Sequence, residues 1–174
     1  MTASFFIRES TDADAEFFLR VDEQTTWENP PPDVVRVMGR EQLREKLLQT
    51  HALLLSSPGH IFFIAQKGNE RAGLLWFGPR HNLITGEDEG WIYNVTVLPS
   101  YRRRGIAKKL LRHAEDYARK QGFSAIGLCV GTHNQNARRL YGSLNYQESN
   151  LLLRKPLATD TQTLSEDITN QTSP

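Results

Sequence analysis

The stretch WIYNVTVLPSYRRRGIA, residues 91–107, decides the fold of this chain. Its first seven residues have the composition of a strand, and Pro99 then interrupts the extended pattern. After Gly105, apolar residues recur at Ile106, Leu110 and Ala114, which is the spacing of an amphipathic helix. A basic, glycine-containing loop therefore lies between the end of a strand and the start of a helix. Helix N-termini carry unpaired amides and a partial positive charge, so this order favours binding of a phosphate.

The loop differs from the two commonest phosphate-binding motifs. Neither GxxxxGK[ST] nor GxGxxG occurs in the chain. The pattern present is [Arg/Gln]-x-x-Gly-x-[Gly/Ala] over residues 102–107, preceded by Val95-x-Val97-x-Pro99. Gly105 permits a positive φ and a close approach to a ligand, and the three arginines add charge-assisted hydrogen bonds. The alternative is that the arginine run is a solvated basic face. The glycine at the helix start and the strand before it favour phosphate binding.

The bulk properties indicate one globular domain. The 174 residues are 39% hydrophobic and 24% charged, and the formal net charge is +1. This balance argues against nucleic acid or an acidic membrane as a partner. No apolar run approaches the roughly 20 residues of a membrane span, and the start, MTASFFIREST, lacks a secretion signal. The only cysteine is Cys129, so we expect a cytoplasmic protein, and its apolar neighbours predict a buried structural thiol. Without a Cys/His cluster, we expect no metal.

Apolar periodicity predicts the element order β-α-α-β-β-β-α-β-α-β. This is an α/β (α+β) fold with a mixed, mostly antiparallel sheet, helices on both faces and one parallel strand–helix–strand crossover. The nearly continuous apolar character of residues 124–130 predicts a strand buried on both faces. The predicted domain is 1–157, and the polar composition of 158–174 predicts a disordered tail. The predicted strands are 4–8, 60–66, 72–77, 91–97, 124–130 and 151–157. One predicted helix begins after Thr11, and the other three cover 41–55, 106 to about 122, and 134–144.

The segment 91–146 resembles the GCN5-related N-acetyltransferases, the GNAT superfamily. A second family pattern, Asn-x-x-Ala-x-x-x-Tyr, occurs from Asn134 to Tyr141. The resemblance implies a GNAT-like acyl-CoA N-acyltransferase fold and transfer of an acetyl group from acetyl-CoA to a primary amine of a small molecule or peptide. In the family, the loop amides bind the coenzyme A pyrophosphate and the preceding strand pairs with the pantetheine arm. The cofactor-binding residues it implies are Val95, Val97, Arg102, Arg103, Arg104, Gly105, Ile106, Ala107, Lys108 and Asn134.

The resemblance also implies a mechanism of direct transfer in a ternary complex. The Val95 amide would polarise the thioester carbonyl, and Tyr141 would be the general acid. From the residues alone, Asn134 is equally well explained as a helix N-cap, and Tyr141 as a packing residue on an apolar helix face.

The general base is less clearly marked. Relatives often carry Leu-[Glu/His]-Val where this chain has Leu128-Cys129-Val130. Glu89, acting through water, is the next candidate. Glu87, Asp88 and Tyr93 are weaker ones, and solvation alone explains the acidic loop.

Two other functions compete with the enzyme. One is a non-catalytic acyl-CoA sensor on the same fold, which the missing base would suit. The other is nucleic-acid binding through the arginines, which the absence of overall basicity disfavours. The acceptor site is expected within residues 22–40, where Asp22, Glu23 and Glu28 favour a cationic amine. The sequence leaves open whether the chain forms a homodimer.

Overall fold

In the computed structural model, residues 4–28, 39–153 and 155 are described. Within them, five strands form one sheet in the order β1-β2-β3-β4-β5. The first four strands are antiparallel to their neighbours, and β4 pairs with β5 in parallel. The predicted mixed, mostly antiparallel sheet is therefore confirmed. The strands are β1 (Phe6–Glu9), β2 (Ile61–Lys67), β3 (Glu70–His81), β4 (Asp88–Val97) and β5 (Ile126–Leu128).

Within the described ranges, four α-helices pack on the two faces of this sheet, and helices on both faces are what the sequence predicts. They are α1 (Ala15–Glu28), α2 (Arg40–Leu55), α3 (Ile106–Lys120) and α4 (Gln135–Gly142). On one face, the buried stripe Ile106, Leu110 and Ala114 of α3 packs against side chains from β2, β3 and β4. On the other face, α1 contributes Phe18 and Val21 to a second cluster with sheet residues that include Trp76. Side chains alternate between the faces of a strand, so each central strand supplies both clusters.

The start of α1 is fixed by a buried carboxylate. Asp14 is 2% exposed and ends a short 3₁₀ turn before the helix. Its Oδ2 accepts a hydrogen bond from the Thr11 amide at 2.8 Å, so the turn begins at the predicted cap. The guanidinium groups of Arg8 and Arg71 donate to the same carboxylate at 2.7 and 2.5 Å. These bonds tie β1 and β3 to the first turn of the helical segment.

Three sequence predictions in the second half of the chain need correction or lie outside the description. The predicted strand at 124–130 is reduced to Ile126–Leu128, and its three residues are only half-buried. Ser124, Ala125 and Cys129 are exposed, so the predicted burial on both faces is wrong. Leu151, Leu152 and Leu153 are exposed and form no strand. Residues 154 and 156–174, including three of the seven residues of the predicted last strand and all of the predicted tail, lie outside the described residues.

Cys129 follows directly after β5 and is exposed. The prediction of a buried structural thiol is therefore wrong. The strand ends at Leu128, so Cys129 lies outside the sheet that was expected to bury it. Among the helices that the structure describes, none is long and apolar enough to cross a membrane.

Candidate active site

The neighbouring strands β4 and β5 differ in length, so the last part of β4 has an open edge on the β5 side. The parallel pairing of β4 and β5 ends at the pair Ile92 and Leu128. β4 continues for five more residues to Val97, and this part pairs only with β3 among the described strands. Backbone groups on the unpaired side of residues 93–97 are therefore available to an extended ligand.

A β-bulge decides which backbone groups face that open edge. Trp76 of β3 pairs with Asn94, and the next residue, Phe77, pairs with Ile92, so Tyr93 is the extra residue. Beyond the bulge, the Leu98 amide donates to the Ala72 carbonyl of the β3 side at 2.9 Å. Because peptide groups alternate in direction along an antiparallel strand, Thr96 and Asn94 also face β3. The amides and carbonyls of Val95 and Val97 consequently face the open edge.

The loop after β4 takes up two left-handed backbone conformations. Pro99–Tyr101 forms a 3₁₀ turn, and Arg103 then has φ 62°. Gly105 has φ 75° and ψ 6° and is the residue from which α3 begins. The positive φ expected for Gly105 is confirmed. Left-handed residues among right-handed ones turn successive amides toward one side, which forms a concave anion-binding nest.

Six successive amides, those of residues 103–108, make no hydrogen bond to any described residue. The first amide of α3 with a partner is that of Lys109, which donates to the Gly105 carbonyl at 3.1 Å. Ile106 is buried in the core, so its main chain alone faces the loop. The helix dipole adds partial positive charge at the same place, and the group is therefore suited to an anion with several acceptor oxygens.

The side chains of the three arginines in this loop, Arg102, Arg103 and Arg104, are exposed. Arg102 donates from Nε to the Val97 carbonyl at 3.1 Å, at the end of the open edge. Arg104 lies over the ring of Tyr101, with 5.6 Å from its guanidinium carbon to the ring centroid. The run is therefore solvated, as the alternative interpretation holds, and it belongs to the same loop as the free amides. Contact of these arginines with a phosphate stays a prediction.

The second motif places Asn134 and Tyr141 at the two ends of α4. The Asn134 side-chain oxygen accepts from the Ala137 amide at 3.1 Å, so its N-cap interpretation is confirmed. Its contact with a cofactor stays a prediction.

Tyr141 is half-buried against the α3 face of the core. Burial raises the pKa of Tyr141 to about 12, so the phenol keeps its proton at neutral pH. Its hydroxyl forms no hydrogen bond within the described part of the chain, and it can therefore donate to a ligand.

Glu89, the predicted base, is not brought close to these groups. Its carboxylate accepts a hydrogen bond from Asn82 at 3.3 Å. It precedes Val95 by six residues on the same strand, which corresponds to about 20 Å between their Cα atoms. Its catalytic role stays a prediction that requires a path through water.

The weaker base candidates have other partners. Asp88 lies 3.1 Å from the His81 ring nitrogen, and Glu87 is exposed in the hairpin loop. The Tyr93 hydroxyl donates to the Pro79 carbonyl at 3.0 Å, and burial raises its pKa.

A buried polar network on the α1 face of β4 was missed by the sequence analysis. Asp22 in α1, His51 in α2 and Asn94 in β4 are 5%, 6% and 9% exposed. Asp22 Oδ2 lies 2.8 Å from His51 Nε2, and Asp22 Oδ1 accepts from the Asn94 side-chain amide. One signal was present in the sequence: Asp22 occupies the same helical stripe as Phe18 and Thr25, where an apolar residue is expected.

Comparison with known proteins agrees with this geometry. Residues 19–146 match the model of the Acetyltransferase (GNAT) family, which is well over half of the chain. The chain belongs to the GNAT family. The resemblance predicted from the two motifs is thus confirmed.

Relatives of this GNAT chain include uncharacterized N-acetyltransferase YycN of Bacillus subtilis, 31% identical over 56% of this chain and 62% of that protein. N-acetyltransferase 8 of Rattus norvegicus is 30% identical over 55% of this chain and 43% of its own length. This chain therefore spans less than two thirds of the length of these two relatives.

Solved structures confirm the fold. A putative acetyl transferase from Pyrococcus furiosus has a TM-score of 0.78 and 25% identity, covering 88% of this chain and all of that one. AAC(6')-Iy in complex with the bisubstrate analog CoA-S-monomethyl-acetylneamine has a TM-score of 0.66 and covers 90% of this chain and all of that one. At 19% identity, the second likeness concerns the fold alone.

Proposed function

We propose that this GNAT chain transfers an acetyl group from acetyl-CoA directly to a primary amine of a small molecule or peptide. The observation that carries the proposal is the set of free amides of residues 103–108 beside the open edge of β4. A diphosphate has enough acceptor oxygens to use several of these amides at once, and the helix dipole favours its charge. Arg102, Arg103 and Arg104 would add charge-assisted hydrogen bonds from the rim of the loop.

The open edge suits the rest of the donor substrate. The pantetheine arm of acetyl-CoA contains two amide groups, which can pair with the free backbone groups of Val95 and Val97 in the manner of an added strand. This pairing would run from the diphosphate end of the loop toward the bulge at Tyr93. Asn134, at the start of α4, would contact the donor from the β5 side while it also caps the helix.

The proposed reaction assigns one task to each reacting group. The amine must first lose a proton, since an ammonium ion has no lone pair. Its nitrogen then attacks the thioester carbonyl, forming a C–N bond, and the Val95 amide donates to the developing oxyanion. As the C–S bond breaks, Tyr141 gives its proton to the leaving sulfur, and the second proton that the attacking nitrogen must lose returns to the Tyr141 oxygen through water. We assign the first proton to water, with Glu89 as its eventual acceptor.

The acceptor is proposed only as a class, a primary amine. The acidic side chains expected to attract a cation have partners within the fold: Asp22 is buried with His51, and Glu28 accepts from Gln24 at 2.8 Å. Residues 29–38, which complete the expected acceptor region, lie outside the description. Related proteins are named for both kinds of acceptor. One is the [Ribosomal protein bS18]-alanine N-acetyltransferase of Escherichia coli, 36% identical over 37% of this chain and 43% of that protein.

The test is release of free coenzyme A from acetyl-CoA in the presence of a panel of amines, amino acids and peptides. We expect release with at least one amine, and loss of acetyl-CoA binding in Gly105→Glu, whose carboxylate would repel the diphosphate. Gly122→Glu is the matched control, because Gly122 also has a positive φ and lies at the opposite end of α3. Equal acetyl-CoA affinity in the two variants would contradict the proposal.

A non-catalytic acyl-CoA sensor is the second candidate function. The observation in its favour is the distance of about 20 Å along β4 between Glu89 and Val95, together with Cys129 where relatives carry an acid or histidine. Tight binding of acetyl-CoA without thiol release on any amine would favour the sensor. The cytoplasmic location stays a prediction of the sequence, which leaves the homodimer open.

A further inference from the structure

The buried network of Asp22, His51 and Asn94 joins the two helices of one face to the bulged part of β4. Asp22 Oδ2 lies 2.8 Å from His51 Nε2, and Asp22 Oδ1 accepts a hydrogen bond from the Asn94 side-chain amide. The Asn94 side-chain oxygen in turn accepts from the Thr96 hydroxyl at 2.8 Å. Both oxygens of Asp22 and both polar atoms of the Asn94 side chain are therefore engaged.

His51 contacts Asp22 through one ring nitrogen and makes no hydrogen bond to β4 within the described residues. Its Nε2 faces Asp22, so its other ring nitrogen, Nδ1, lies on the side of the ring away from that contact. Nδ1 is buried and has no hydrogen-bond partner within the described ranges. The ring packs edge-on against Trp76, with centroids 5.3 Å apart. His51 thus supports Asp22, and Asp22 is the group that reaches β4.

The bulge places the side chains of Tyr93 and Asn94 on the same face of β4, and the network holds the second of them. Tyr93 and Asn94 are consecutive, and side chains of consecutive strand residues normally point to opposite faces. Here both point to the α1 face: Tyr93 stacks on Trp76 at 4.9 Å, and Asn94 bonds to Asp22. Without the bulge, the alternation beyond it would shift by one residue, and the Val95 amide would turn toward β3.

We infer that Asp22 is a positioning residue, which holds Asn94 on the α1 face and thereby keeps the Val95 amide directed at the open edge of β4. This inference rests on the proposed function, in which that amide donates to the thioester oxygen. It assigns to α1 and α2 a task in the donor half of the site, since they reach β4 through Asp22. An oxyanion donor that is turned away loses its stabilising effect even when the donor substrate is still bound.

The first experiment is steady-state kinetics on Asp22→Ala, Asn94→Ala and the double variant, with the amine found active. We expect kcat to fall about tenfold in each, with the KM for acetyl-CoA changed by less than about twofold. The double variant should be no slower than the slower single variant, because both substitutions remove the same interaction. Asp22→Asn, which keeps an oxygen acceptor for Asn94, should recover part of kcat.

Asp14→Asn is the matched control, since Asp14 is also a buried, hydrogen-bonded aspartate. It contacts Arg8 of β1 and Arg71 of β3 rather than a residue of β4. It should lower stability without lowering kcat at a temperature where all variants are folded. Equal kcat values in Asp22→Ala and Asp14→Asn, or additive losses in the double variant, would overturn the inference.

The second experiment measures amide hydrogen exchange in the free protein and does not depend on activity. The Asn94 and Thr96 amides face β3, and we expect them to exchange about tenfold faster or more in Asp22→Ala, relative to amides of β2. Unchanged protection of both amides would overturn the inference, whether or not the enzyme is active. Faster exchange in a protein that releases no coenzyme A would support the role of Asp22 in the bulge and refute the proposed function instead.

Discussion

The free amides at the start of α3 depend on the backbone conformation of Gly105, and a methyl group at this position tests that dependence. In Gly105→Ala, the added Cβ meets no atom within 4 Å, so steric contact contributes nothing. The remaining effect is the φ of 75°, which costs an L-residue about 1–2 kcal/mol. Gly122→Ala is the control: its φ is 85°, its Cβ also meets nothing within 4 Å, and it follows the C-terminal end of the same helix.

The same conformational energy has different consequences at the two ends of α3. In Gly122→Ala we expect the melting temperature to fall by about 2–8 °C, because about 1 kcal/mol corresponds to 2–4 °C in a chain of this size. In Gly105→Ala we expect a smaller fall, because part of the conformational cost is met only on binding. In Gly105→Ala, the free loop can also relax to a negative φ and turn its amides away. Binding must then restore the left-handed conformation, and 1–2 kcal/mol corresponds to a Kd for coenzyme A that is about 5- to 30-fold higher.

The assay is calorimetric titration of coenzyme A into the wild type and the two variants, at a temperature well below each melting transition. Gly122→Ala should bind coenzyme A within about twofold of the wild type, since its backbone lies at the other end of the helix. The reasoning is refuted if both glycine variants lose the same stability and also share one Kd, because the left-handed residue at 105 would then be irrelevant to the ligand.

Further predictions concern the acid and the buried carboxylate. Tyr141→Phe should lower kcat by about 10- to 100-fold while the Kd for coenzyme A stays unchanged, as measured by thiol release and titration; full activity would remove Tyr141 from the mechanism. Because burial raises the pKa of Tyr141 to about 12, its proton is retained, and the wild-type kcat should show no alkaline fall up to pH 10. Asp14→Asn should lower the free energy of unfolding by about 3 kcal/mol at pH 7, through the loss of charge-assisted hydrogen bonds from Arg8 and Arg71. The hydrogen bond from Arg8 holds the pKa of Asp14 below its unfolded value of about 3.9, so this advantage is complete above that pH and shrinks as the pH falls through it. Denaturant titrations at pH 7 and pH 3 that gave the same difference would contradict the assignment.

Local signals in the sequence were sufficient for the donor half of the site. The strand before Pro99, the glycine at 105 and the helical stripe from Ile106 are each specified by neighbouring residues, and together they place the free amides. The fold class followed from the same periodicities. The N-cap at Asn134 was also foreseen, because capping is decided by the residue and the helix that follows it.

Features that depend on distant partners were not predicted. The bulge at Tyr93 is visible only in the register with β3, and Asp22 becomes a network residue only when Asn94, 72 positions away, lies against it. Apolar composition suggested seven strand residues at 124–130, but strand length is set by the available neighbour, and β5 pairs with β4 over three residues. Cys129 is exposed for the same reason.

In the proposed function, the donor substrate would be held mainly by main-chain atoms, those of residues 95, 97 and 103–108. Such atoms are present whatever side chains the chain carries, provided that the glycine and the bulge keep their conformations. The surrounding surface is then free to diverge among descendants of a common ancestor without loss of the shared acyl donor. In this proposal, new acceptors would arise through changes in α1, α2 and their connection that leave Asp22 in place.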